Sequence, residues 1–311
     1  MRRVLLLTIV TVAWLASAAA GGVPGRFMQY PTISGDTVVF TYEGDLWSVP
    51  ASGGSARRLT DHPGTEEAAR FSPDGQTLVF TGEYDGAPSL YVMPATGGAP
   101  RRLTYSGAGV QAVAWTPDGR KVVFRSSHEA TFRPMTRLYT VSPEGGLPEA
   151  LPMDRGILCA YSPDGKRLAY NRRGMEEYYW KRYKGGRYVD LWMYDSTSRQ
   201  YTELSDYVGK SAYPMYAAGK LFFVSDRDAK GISNLYTIDP ATKKVEMVTK
   251  FDDFDIQWPS TDGRRIVFVR AGRLTVFEPG TGAAKTIDVE IPSDRWQLAE
   301  RTSGERARGR R

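Results

Sequence analysis

Two histidines, one cysteine and a few clustered carboxylates are the side chains from which this 311-residue chain would have to build a catalytic centre. A serine nucleophile needs a general base beside it, most often histidine. The candidates are His62, in Asp61-His62-Pro63-Gly64, and His128, in an inter-strand loop, and no Gly-x-Ser-x-Gly elbow accompanies either. His62 reads as a structural loop residue, and His128 as a loop residue open to ligand contact. Cys159 sits in the apolar run Ile157-Leu158-Cys159-Ala160-Tyr161, where a lone thiol serves as a small buried hydrophobe. Asp252, Asp253 and Asp255, and the pair in Asp226-Arg227-Asp228, offer oxygen ligands for calcium. Neither has the spacing of a calcium loop, and Arg227 repels a cation, so both read as turn aspartates. No metal or cofactor site and no catalytic residue are expected.

The denser chemistry is aromatic and cationic. One segment holds Tyr178, Tyr179, Trp180, Lys181, Arg182, Tyr183 and Lys184, and another holds Phe132, Arg133 and Arg137. Rings interleaved with cations suit an extended peptide, which stacks on the side chains while its carboxylates pair with the charges. The same residues also suit packing of a long loop against its base, with the cations solvated outside. Both readings stand.

Internal repeats show which elements position these residues. Ser72-Pro73-Asp74-Gly75 recurs as Thr116-Pro117-Asp118-Gly119, as Ser162-Pro163-Asp164-Gly165 and, worn, as Ser260-Thr261-Asp262-Gly263. A second marker begins at Leu46-Trp47, Leu90-Tyr91, Leu138-Tyr139, Leu191-Trp192, Leu235-Tyr236 and Leu274-Thr275, at steps of 44, 48, 53, 44 and 39 residues. Pro before Asp-Gly fits a tight turn, and β-branched alternating stretches follow it. Four short strands per copy of this length predict an all-β fold, a six-bladed β-propeller with four antiparallel strands per blade. The blades fall at about 27–62, 68–105, 111–152, 157–205, 212–250 and 254–290 within a domain at 21–291. No strand is left over at either terminus, so ring closure is expected to rest on packing of the last blade on the first.

Loop lengths then grade one face. The connection between second and third strands is minimal at Glu43-Gly44 and Ala271-Gly272. It is longest at Ser126 to Thr136 and Arg172 to Val189. One side of that face should carry a raised wall bearing Phe132, Arg133, Arg137, Tyr179, Trp180, Lys181, Arg182 and Tyr183, and the opposite side an open notch. The Pro-Asp-Gly turns of the other face read as scaffolding.

Met1-Arg2-Arg3, the apolar run Val4 to Leu15 and the small residues Ala16-Ser17-Ala18-Ala19-Ala20 form the three parts of a signal peptide cleaved near residue 20. The mature chain is expected in the periplasm or outside the cell, without a membrane span. Residues 21–300 hold 34 basic and 34 acidic side chains, so a nucleic-acid surface is a poor reading. Residues 292–311 read as an Arg-rich disordered tail.

The order Phe71-Ser72-Pro73-Asp74-Gly75, Leu90-Tyr91-Val92, Pro94-Ala95-Thr96-Gly97-Gly98, Arg101-Arg102-Leu103-Thr104 resembles the repeats of the exported Tol-system propeller and of peptidase propellers. Ser126 to Arg133, Trp180 to Gly186 and Phe254 to Ser260 are similar, more specifically, to the N-terminal propeller of tricorn proteases. That resemblance implies a serine peptidase trimming short peptides, whose first propeller is followed by a second propeller, a PDZ domain and catalytic domains. After Ile291-Pro292 the chain departs from that pattern, and no catalytic residue of the family maps onto it. The expected partners are short peptides, or an envelope protein if the chain acts as a Tol-like scaffold, together with the C-terminal peptidase domains of the family if the chain is a fragment. A propeller lyase or cyclase fits least, for want of clustered histidines or carboxylates.

Overall fold

The structure, a computed structural model, describes residues 22–128, 135–173 and 183–292. Among these there is no helix, and hence none long and apolar enough to cross a membrane. The signal-peptide reading and the tail beyond residue 292 lie outside the described residues.

Six four-stranded antiparallel sheets follow one another along the chain. Their first strands are Gln29–Ser34, Glu66–Phe71, Val110–Trp115, Cys159–Tyr161, Ser211–Ala217 and Gln257–Thr261. The middle strands are buried nearly along their whole length, as in Thr77–Gly82 and Ser89–Pro94, so both faces of each sheet are covered. Neighbouring sheets supply the cover. Val39 and Leu46 of the first sheet pack with Leu78, Phe80 and Tyr91 of the second, and Val38 and Phe40 pack with Val267 and Val269 of the sixth.

Both repeat markers have a polar cause. In the turns, Ser72 Oγ donates to Asp74 Oδ1 at 2.5 Å, while the N–H groups of Gln76 and Thr77 bond Asp74 Oδ1 and Ser72 Oγ. The arrangement repeats at Thr116/Asp118 and Ser162/Asp164. The hydroxyl donors hold all three aspartates below the usual carboxylate range. In the third strands, the leucine N–H of Leu46, Leu90 and Leu235 donates at 2.9 Å to the buried hydroxyls of Thr60, Thr104 and Thr249. The threonine closing Arg-Arg-Leu-Thr thus stitches the short outer strand to its neighbour.

Closure corrects one expectation. The sixth sheet does pack on the first, but strands are left over at both ends of the described chain. Val23–Pro24 pairs antiparallel with Val289–Ile291, which runs parallel to Gly54–Ser55 in the outer turn of the first sheet. Gly25 N donates to Val289 O at 2.7 Å, Gly54 N to Asp288 O at 2.8 Å and Ala56 N to Glu290 O at 2.8 Å. Two-residue strands carry little periodic signal, which is why they escape a reading by pattern. Gly53 makes the approach feasible: its φ is +96°, and a Cβ there would lie 2.5 Å from Asp288 O. Gly53→Ala should therefore destabilise the fold by about 1–3 kcal/mol. The check is the urea midpoint; an unshifted midpoint would show that the clasp contributes nothing to stability.

Candidate functional site

The loop gradient is present. Connections between second and third strands span residues 43–44 and 271–272 at their shortest, and 127–136 and 171–190 at their longest. Of the wall residues singled out from sequence, Phe132, Arg133, Tyr179, Trp180, Lys181 and Arg182 lie outside the described residues. Arg137 and Tyr183 lie within them. Arg137 opens the strand Arg137–Val141, its guanidinium carbon 6.0 Å from the Tyr139 ring centroid. Tyr183 is half-buried, and its hydroxyl folds back over Gly185.

The base of the longest loop holds a polar hub with no sequence motif. Asp190 is fully buried. Its Oδ1 accepts the N–H groups of Arg172 and Arg173 at 3.0 and 2.9 Å. Its Oδ2 accepts Arg173 Nε and Trp192 Nε1, both at 2.9 Å. Arg172 continues outward to Asp154 at 3.0 and 2.6 Å, and buried Asn171 donates to the carbonyls of Asp190 and Ser211. One carboxylate therefore ties together both ends of the 171–190 connection.

On the short-loop side, a cleft of about 510 Å³ lies between the sixth and first sheets. Phe27, 82% exposed, and Phe254, 54% exposed, line it with Trp258. This is the expected notch, and its lining is aromatic.

The six first strands meet around an axial cavity of about 400 Å³. It reaches the Pro-Asp-Gly face, because Pro73, Pro117 and Pro163 of those turns line it with Asp262 and Gly263. The face read from sequence as scaffolding is thus also a mouth. Tyr30, Tyr213 and Trp258, each followed by proline, take left-handed backbone with φ of 47°, 56° and 45°. At each, two residues of the first strand oppose one of the second, a β-bulge. Left-handed backbone costs an aromatic residue about 1–2 kcal/mol, and bulges re-aim side chains. Tyr30 and Trp258 rings lie 5.0 Å apart, and Tyr213 lines the cavity. Cys159 also lines it; burial pushes its thiol up to about 12, so no thiolate nucleophile forms at neutral pH.

The histidines carry contacts of a structural kind. His62 Nδ1 accepts Gly64 N–H at 2.9 Å, and its ring lies 4.4 Å from that of Tyr84. The backbone carbonyl of His128 accepts the Tyr139 hydroxyl at 2.6 Å. The aspartate clusters are dispersed: Asp253 binds Arg270, Asp252 binds Lys230, and Asp255 accepts Ser233 N–H. Asp226 accepts Lys210 N–H, and Asp228 accepts those of Gly231 and Ile232. Among the described residues no group of three or more His, Cys, Asp or Glu could hold a metal ion.

Sequence reasoning also missed a buried acid pair between the first and second sheets. Asp45 and Glu66 are at most 1% exposed. Arg58 donates to Asp45 Oδ2, and the Thr60 hydroxyl to Glu66 Oε2 at 2.8 Å. The remaining oxygens, Asp45 Oδ1 and Glu66 Oε1, are buried without a hydrogen-bond partner. Burial pushes Glu66 up to about 8, with the neighbouring Asp45 charge adding to the effect, and burial also raises Asp45.

Residues 25–283 match the family of the tricorn protease N-terminal β-propeller domain. The chain is 29% identical to a tricorn protease homolog of Saccharolobus solfataricus over 275 residues, covering 86% of this chain and 25% of that protein. It is 30% identical to tricorn protease homolog 1 of Streptomyces coelicolor over 296 residues, with coverage of 88% and 25%. The crystal structure of the tricorn protease superposes with a TM-score of 0.75 at 25% identity, over 86% of this chain and 26% of that one. TolB from Acinetobacter baumannii shares the fold, with a TM-score of 0.61 at 16% identity over 85% of this chain and 63% of that one. The chain spans about a quarter of the length of the tricorn relatives it matches.

Two outcomes are expected. Asp190→Ala strands two backbone N–H groups, an indole N–H and the Arg173 charge, and should lower stability by about 3–5 kcal/mol in denaturant titration. Glu66 is raised above its ordinary value of 4.5, so as pH rises between 4.5 and about 8 the unfolded chain releases a proton that the fold retains. Stability should then fall from pH 5 to pH 8 and level off above, and Glu66→Gln should flatten that slope. Melts at both pH values check this; an equal slope in the variant would assign the effect elsewhere.

Proposed function

The chain belongs to the family of the tricorn protease N-terminal β-propeller domain, and from that membership we propose that it is a non-catalytic, six-bladed propeller that binds and guides short peptides. Each four-stranded sheet is one blade. The observation that carries the reading is the family match over residues 25–283, together with the superposition on the tricorn protease. Hydrolysis, in this reading, belongs to domains of the tricorn type other than this one. The aromatic and cationic residues of the two long loops form the capture surface: rings stack along the peptide, and Arg133, Lys181 and Arg182 pair with its carboxylates. The first twenty residues direct export, after which a signal peptidase removes them.

A second reading has one observation in its favour. The likeness to TolB extends over most of the fold, and the exposed pair Phe27 and Phe254 beside the notch would suit a protein partner. In that case the chain is an envelope interaction scaffold.

Calorimetric titration with tri- and tetrapeptides separates the two. Peptide guiding expects measurable binding, weakened about tenfold or more when Arg133, Lys181 and Arg182 are all replaced by Ala, since each charge-assisted hydrogen bond is worth about 1.5–3 kcal/mol. Unchanged affinity in the triple variant would remove the wall from the reading. No binding by the parent chain, with retention of an envelope protein, would favour the scaffold.

A further inference from the structure

The axial cavity holds a cation that no described residue neutralises. Arg70, on the strand Glu66–Phe71, lines the cavity. Its Nε donates to Val113 O of the next sheet at 3.1 Å, and its Nη1 to Ala69 O at 2.8 Å. Among the described residues Nη2 makes no hydrogen bond, and no carboxylate lies within ion-pairing distance. Other arginines of the fold are treated differently. Arg58, Arg173, Arg265 and Arg270 each reach a carboxylate. Arg227, like Arg70 half-buried, is enclosed by the rings of Tyr207, Phe223 and Tyr236 at 5.0, 4.9 and 5.4 Å.

The surroundings give the cation no relief. The one carboxylate lining the cavity is Asp262, whose Oδ1 already accepts the N–H groups of Arg264 and Arg265 at 2.9 and 2.7 Å. Its Oδ2 faces the Arg265 guanidinium at 3.5 Å. Burial pulls Arg70 down to about 10; the Tyr213 and Tyr30 phenols oppose the shift and the Arg125 charge adds to it. Arg70 therefore stays charged at neutral pH, half-buried in the cavity wall with an edge that an arriving anion can pair. The remaining walls are largely apolar and aromatic, with Trp115, Leu158, Tyr161 and Met215 among them. The cavity volume falls within the range of small-ligand sites.

We propose that the axial cavity is a carboxylate-binding site in which Arg70 holds the C-terminal carboxylate of a short apolar peptide. The inference rests on the reading of this domain as a peptide guide. The Arg70 guanidinium, without a carboxylate partner among the described residues, matches a monoanion, and its two carbonyl bonds fix its plane so that the remaining edge is presented without further ordering. The apolar and aromatic wall residues receive the peptide's side chains, and the low-polarity surroundings strengthen the charge-assisted hydrogen bond.

The test is calorimetric titration of the whole chain with an acetylated apolar tripeptide acid and with its C-terminal amide. The acid should bind about tenfold tighter than the amide, and Arg70→Gln should abolish that preference. Equal affinity for acid and amide would overturn the inference and leave peptide guiding intact. So would a preference that survives in Arg70→Gln, since the carboxylate would then be held elsewhere. Inorganic phosphate displacing the acid at lower concentration than the acid's own dissociation constant would also overturn it, in favour of a general anion site. Failure of both peptides to bind would remove the peptide reading itself, and this inference with it. The acid–amide comparison needs no variant and so decides the matter even if Arg70→Gln does not fold.

Discussion

A four-stranded sheet whose middle strands are apolar on both faces cannot remain folded on its own. Everything else in this molecule depends on that constraint. Each sheet needs a neighbour on either side, and the demand is met without a remainder only if the series turns back on itself. Val38 and Phe40 packing with Val267 and Val269 is where it does so. Once the series closes, the innermost strand of every sheet faces a common axis with one edge unpaired. The cavity there is a by-product of solving the packing problem, and its bulged aromatic–proline steps and Arg70 are refinements built on it. Strain at Tyr30, Tyr213 and Trp258 is tolerated because the paired strands outside over-determine their positions.

Much of the architecture is legible in the residues. The Ser-Pro-Asp-Gly and Leu-aromatic markers carry the sheets because each has a local cause, a hydroxyl–carboxylate turn and a threonine-capped leucine, that operates over a few residues. Loop lengths are legible for the same reason. What resists reading is everything held together across the sequence. Asp190 gathers donors from residues 172, 173 and 192. Asp45 meets Glu66 across two sheets. Arg70 is notable for what it lacks, which no pattern records. The three-stranded clasp fails for another reason, since two-residue strands have no period to detect. The aromatic–proline steps were visible as Tyr30-Pro31, Tyr213-Pro214 and Trp258-Pro259, yet nothing local announces that the residue before proline will be left-handed.

The two faces divide their work more evenly than loop lengths suggest. The face with variable connections carries the long segments on one side and an aromatic notch on the other. The face with uniform turns, apparently all scaffold, is where the axial cavity opens. Uniform turns are compatible with a mouth because their prolines form a rigid apolar rim while the chemistry sits deeper, on the strands themselves, as Arg70 does three residues before Pro73. Sites built on strands are held more firmly than sites built on loops.

The clasp of Val23–Pro24, Val289–Ile291 and Gly54–Ser55 also sets an order of events during synthesis. A ribosome delivers the first sheet long before the strand that will lie along its outer turn. Until residue 291 has emerged, the first and last sheets each present an uncovered apolar face, and the ring is an open arc. Contacts of such wide sequence separation form late and slowly. The nascent chain must pass through a stage in which two sticky surfaces wait for one another, and that interval is when it would most need a chaperone.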